Sequence, residues 1–110
     1  MTDGNNTPVL DLLAMMTGES LAATTLDAET TMIARLAALV AVGAPPASYL
    51  LNLGAAADAG INVDKVRGVL MAVAPIVGTP RVVAASGNIV RALGAALDLA
   101  ELEAEASEST

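Results

Sequence analysis

A chain of 110 residues with a net charge of −7, 55% hydrophobic residues and neither Cys nor His is one domain's worth of acidic, apolar polypeptide. That composition excludes disulfides, thiolate nucleophiles, Cys or His metal sites and imidazole proton transfer. The five basic residues, Arg35, Lys65, Arg67, Arg81 and Arg91, are scattered, so neither nucleic acid nor an anionic membrane surface meets a basic patch.

The first six residues, Met1 to Asn6, are polar and lack the basic and apolar regions of a secretory leader, so a cytoplasmic location is expected. Thr7-Pro8 reads as an N-cap followed by proline at the first helical position, opening a short apolar helix over 8–16 that Thr17-Gly18 ends. A Thr-rich connection runs to Leu26. Asp27 then caps a second helix over 28–42, with Glu29 favourably placed in its first turn. Met32, Leu36, Leu39 and Gly43 share one stripe of that helix, and Ala34, Ala37, Ala38 and Ala41 leave its other faces smooth enough for close helix packing.

Leu36 to Ala57 carries no charge and is long enough to span a bilayer, but Pro45 and Pro46 interrupt it. It reads as two helices joined at Gly43-Ala44-Pro45, the third helix covering 46–59 and ending at Gly60. A fourth helix starts at Asn62 or Val63. Val66, Val69, Leu70, Val73 and Val77 give it a helical apolar stripe, and Pro75 should kink or shorten its last turn. Gly78-Thr79-Pro80 then opens a last helix to about Glu101, with Val82, Ala85, Ile89, Leu93, Ala96 and Ala100 on its apolar face. The two Gly-x-Pro joints lie 35 residues apart in the sequence, through either a doubled helical hairpin or the common use of this joint between helices.

No segment alternates with the two-residue period of a strand, so the fold expected is all-α, a bundle of about five helices. Residues 1–26 read as a short helix and connection, 27–102 as the helical domain and 103–110 as an acidic, disordered tail. Tyr49 is the single aromatic residue and only 15% of the chain is charged. A domain this small does not bury so much aliphatic surface alone, and self-association is the simplest remedy.

The order of these elements resembles the carboxymuconolactone decarboxylase and AhpD-like family of small helical proteins. The resemblance rests on Asp27-Ala28-Glu29-Thr30 leading into Leu36 to Gly43, then on Ala55 to Asn62, Val69-Leu70 and Gly78-Thr79-Pro80, and covers about 27–97. It implies an AhpD-like bundle that assembles into trimers or hexamers. The peroxidase branch of that family carries a Cys pair and a His on the third helix and a Glu on the second. Those positions fall here at Pro45 and Ser48, at Asn52 and near Ile33, while the tyrosine often found before the Gly-x-Pro turn is replaced by Ile76. The resemblance therefore implies the family's architecture without its usual chemistry, and no cofactor or metal.

Six residues remain as ligand or interface candidates. Arg35, the lone basic residue of its helix, can hold a carboxylate or snorkel from the helix edge. Tyr49 and Asn52 stand on the third helix, where the resemblance puts a pocket; the competing reading is a packed ring and a satisfied amide. Arg81, Asn88 and Arg91 share a face of the last helix that suits a small anion or simply faces solvent. Glu29 and Asp58 are the only acids near the apolar centre, and nothing in their spacing pairs them for acid–base work.

The expected function is a homo-oligomeric interaction or small-ligand-binding protein in which Leu36→Asp or Leu70→Asp breaks the assembly. The alternative is a lyase or isomerase acting on a small carboxylated, lactone-like substrate through Arg35, Tyr49 and Asn52. A membrane protein is the third class.

Overall fold

The computed structural model describes residues 7–108. The N-terminal stretch read as lacking a leader and the end of the acidic tail lie outside the described residues. Five helices follow one another: α1 (Pro8–Ala23), α2 (Ala28–Val42), α3 (Pro46–Asp58), α4 (Val63–Val77) and α5 (Thr79–Glu108). The all-α expectation holds, and the uncharged run around Gly43 is two helices. α2 to α5 form the core, with α3 packed most extensively on α5 and α2 on α4. Val40 is fully buried, and Ala44, Tyr49, Ile89 and Ala92 form a buried cluster flanked by Leu36, Leu53 and Leu70.

Local chemistry explains the boundaries. The Asp27 side chain accepts the Thr30 amide at 2.7 Å and caps α2, and Asn62 does the same for α4 through the Lys65 amide at 2.9 Å. Those hydrogen bonds hold the Asp27 carboxyl below its ordinary pKa of 3.8. A lowered folded-state pKa stabilises above the unfolded value and is lost as pH falls through the folded one. Asp27→Asn should therefore keep the cap near neutrality and flatten the loss of stability below pH 3.8, measured by urea denaturation across the acid range.

Thr7 precedes Pro8 as expected, but its hydroxyl donates to Asp11 Oδ1 at 3.2 Å instead of capping the helix. α2 and α3 end alike. Gly43 N–H donates to Val40 O and Ala44 N–H to Leu39 O; Gly60 N–H donates to Ala57 O and Ile61 N–H to Ala56 O. These paired bonds satisfy the last carbonyls of each helix and require a left-handed residue, which is Gly43 at φ 70° and Gly60 at φ 87°. A Cβ at Gly43 would also stand 3.0 Å from Arg81 Nη1. Gly43→Ala should cost about 1–2 kcal/mol in urea denaturation. The second Gly-x-Pro joint is built differently, with Gly78 at φ 89° and ψ 157°, so the two joints do not repeat one local structure.

Three boundaries differ from the sequence reading. α1 runs through Thr17-Gly18 to Ala23, because Glu19-Ser20-Leu21-Ala22-Ala23 favours helix by more than one glycine costs, about 1 kcal/mol. α4 continues past Pro75 to Val77. α5 passes Glu101 and reaches Glu108, so the described part of the tail is helical. Exposed residues 101–106 bury nothing there; the helix rests on the propensities of Leu, Glu and Ala.

Two parts of the molecule stand apart from the core. α1 has no buried residue, and Val9, Leu12 and Met15 are at least half exposed. The far half of α5 exposes Leu97, Leu99 and Leu102. The Cα radius of gyration, 15.8 Å, accordingly exceeds the roughly 13 Å of a compact chain of this length.

Candidate functional site

A cavity of about 50 Å³ opens between the core helices. α2 contributes Met32, Arg35 and Leu36 to its wall, α3 contributes Tyr49, Asn52 and Leu53, and Ile61, Val66 and Ile89 close the far side. Helical spacing explains the first two groups. Met32, Arg35, Leu36 and Leu39 fall on one side of α2 at intervals of three and four, as do Tyr49, Asn52, Leu53 and Ala56 on α3. Three residues singled out on the sequence, Arg35, Tyr49 and Asn52, thus line one cavity.

Their hydrogen bonds differ. Tyr49 is 3% exposed, and its buried hydroxyl has no hydrogen-bond partner in the described protein. Burial pushes its pKa up, so the hydroxyl remains a neutral donor. Asn52 donates through Nδ2 to Ser48 O at 2.8 Å, one turn back on its own helix. Arg35 is half-buried and donates to Ser20 Oγ on α1 at 3.1 Å. No carboxylate lies within ion-pair distance of Arg35 among the described residues.

Outside this cavity, Arg35, Leu39 and Asn52 also border a more open groove of about 350 Å³, roofed by Leu13, Met16, Thr17 and Ser20 of α1. Nothing in the sequence pointed to Ser20, which is 15 residues from Arg35 and on a different helix. Ile61 and Ile89 were legible as apolar positions only; their meeting at this cavity is a tertiary fact.

The other three candidates lie elsewhere. The Arg81 guanidinium donates to Ala41 O at 2.8 Å, at the end of α2, and Asn88 Nδ2 donates to Ala44 O at 3.2 Å. Arg91 donates to Asn88 Oδ1 at 3.0 Å. These side chains tie α5 to the α2–α3 joint, and none of them lines the cavity. Glu29 is ion-paired with Lys65, linking α2 to α4, whereas Asp58 borders a groove with Leu21. The Glu29–Lys65 pair is about two-fifths exposed on both sides. Lys65→Met should therefore cost no more than about 1 kcal/mol, and 1 M salt should remove most of the difference in a urea titration.

No family model, no curated protein and no solved structure matches this chain. The site must therefore be judged by its own chemistry. The cavity surface is almost wholly aliphatic: the Tyr49 hydroxyl is itself buried, and the Arg35 guanidinium, bonded to Ser20 of α1, meets no acid. These groups include no nucleophile or base of ordinary reactivity near neutral pH.

A second surface is conspicuous. Val63, Val66, Leu70, Val90 and Leu93 border an apolar groove of about 430 Å³ between α4 and α5. α5 is also the one described helix long and apolar enough to cross a bilayer. The span considered on the sequence was the α2–α3 run, which is broken; in α5, Ala85, Ile89 and Ala92 are buried against the other helices.

Proposed function

We propose that this protein is a homo-oligomeric interaction and binding protein, built on a carboxymuconolactone decarboxylase and AhpD-like plan and acting without that family's thiol and imidazole chemistry. One observation carries the assembly: an entire 16-residue apolar helix, α1, buries no side chain within its own chain. The accessible surface supports it. At 7403 Å², one copy exposes about 1,800 Å² more than the roughly 5,600 Å² expected for a folded monomer of this mass. A standard interface covers about 800 Å² of each partner, so one copy has surface to spare for such a contact.

Two different faces meeting from copy to copy close a ring by rotation, and the family resemblance implies a trimer, or a hexamer of two stacked trimers. The outer face of α1 and the apolar α4–α5 groove are complementary in character, and the reading places α1 of one copy against that groove of the next. A cytoplasmic location belongs to the same reading, because assembly covers the apolar faces without a bilayer.

Leu36 and Leu70 are unsuitable reporters of this assembly. Both pack on the buried cluster, so a charge there breaks the fold of the single chain. Light scattering coupled to gel filtration of the wild type, at two concentrations, tests the reading directly. A mass of three or six times 10.9 kDa is expected. A stable 10.9 kDa species at both concentrations would sink it, as would recovery of the chain only in the detergent-extracted membrane fraction.

A further inference from the structure

We propose that Asp11 of α1 in one copy pairs with Arg67 of α4 in the next, and that this ion pair fixes how α1 seats in the α4–α5 groove. The pairing rests on the assembly proposed above and adds the residues that set its register and select its partner, a second copy of this chain.

α1 has two unlike faces. Leu13, Met16, Thr17 and Ser20 turn toward their own chain, where they roof the groove over α2 and α3. Asp11, Ala14, Met15 and Gly18 follow the i, i+3, i+4, i+7 spacing of a single helix face and lie on the opposite side. All four are exposed. Ala14 and Gly18 are small enough to admit a second helix closely, and a Cβ at Gly18 would meet nothing within 4 Å in its own chain. Asp11 is the obstacle in that face, because a carboxylate carried into an apolar contact is costly unless a cation meets it. Within its own chain it accepts only the Thr7 hydroxyl, at 3.2 Å. No basic side chain pairs with it among the described residues.

The groove between α4 and α5 supplies that cation. Its walls are aliphatic apart from Ser86 and Arg67, and Arg67 is the only charged residue bordering it. The Ser86 hydroxyl donates to Val82 O at 3.0 Å and is satisfied. Arg67 donates to Asp64 Oδ1 at 3.0 Å, but both side chains of that pair are mostly exposed, so it holds the guanidinium weakly. A guanidinium carries five N–H donors and can meet a second carboxylate while keeping the first.

Charge also selects this seat over others. With a net charge of −7, most contacts between two copies bring acid against acid. Placing Asp11 beside Arg67 sets the acid of one apolar face against the base of the other, which fixes register as well as partner. The pair belongs between copies, because α1 turns Asp11 away from the helices that it roofs.

The full chain is followed by light scattering coupled to gel filtration as wild type, Asp11→Arg, Arg67→Asp and the double reversal Asp11→Arg/Arg67→Asp. Each single reversal sets like charges together and should weaken association about tenfold or more; the double reversal should return to within about threefold of wild type. Gly18→Leu, which fills open space in its own chain, should weaken association while the monomer stays folded. Circular dichroism checks that every variant keeps the helical signal. A wild type that remains at 10.9 kDa sinks the assembly reading, and the ion pair with it. An oligomeric wild type whose association is unchanged by the single reversals, or is not recovered by the double one, overturns the ion pair and leaves assembly standing.

Discussion

Tyr49→Phe is expected to raise the free energy of unfolding by about 1 kcal/mol, and Tyr49→Ala to lower it by about 3–5 kcal/mol. The two substitutions separate the ring from its hydroxyl. The ring sits in the buried cluster with Ala44, Ile89 and Ala92, where α3 crosses α5, and truncating it leaves a void that the helices cannot fully close. The hydroxyl contributes in the opposite direction. It is buried without a partner, so the folded state bears its desolvation while the unfolded state hydrates it.

For a chain of this length, each kcal/mol moves the thermal midpoint by about 4–6 °C, so the alanine variant should melt roughly 12–30 °C below wild type. Urea denaturation and thermal melts followed by far-ultraviolet circular dichroism measure both. A phenylalanine variant clearly less stable than wild type would mean that the hydroxyl is satisfied in solution.

The second large effect concerns assembly. If copies assemble through α1 as proposed, the double substitution Leu12→Asp/Met15→Asp should leave a monomer without lowering the stability of the core. Leu12 is 50% and Met15 55% exposed, and neither borders the groove beneath α1, so charge at these positions leaves intrachain packing alone. Between copies the same charges would be buried without partners, at several kcal/mol for each interface.

Val90→Asp tests the other half of the contact, because Val90 is 67% exposed and borders the α4–α5 groove. Both variants should run as 10.9 kDa species in light scattering and retain the helical signal of wild type. An intact oligomer in Val90→Asp together with a monomer in the α1 variant would show that α1 helices meet one another and not the groove.

Much of the fold was legible before any coordinates. Asp27 as a cap, a helix start at Asn62 or Val63, Gly43 and Gly60 as helix stops, and prolines at helix starts follow from local backbone chemistry, which acts over four or five residues and is written in consecutive letters. The stripe Val66, Val69, Leu70, Val73 and Val77 was legible for the same reason, and all five positions are at least partly buried. Errors arose where propensity and burial part company. α1 extends past Gly18, and α5 continues through an acidic tail that buries nothing, because Ala, Leu and Glu favour a helix whether or not it is covered.

The site was legible only in part. Arg35, Tyr49 and Asn52 could be named as a charge, a ring and an amide on apolar helices, but so could Arg81, Asn88 and Arg91. Sequence gives each residue's chemistry and its helix face, and both sets satisfy that description equally. Only the packing of α2 against α3 and α5 makes the first three walls of one cavity, and only the joint at Gly43 and Ala44 brings main-chain oxygens within reach of Arg81 and Asn88. The sequence by itself determined the five helices, the joints between α2 and α3 and between α4 and α5, and the absence of thiol and imidazole side chains. Tertiary structure decided which polar groups found partners, left the Tyr49 hydroxyl without one and left α1 uncovered, because those outcomes depend on contacts between residues far apart in the chain.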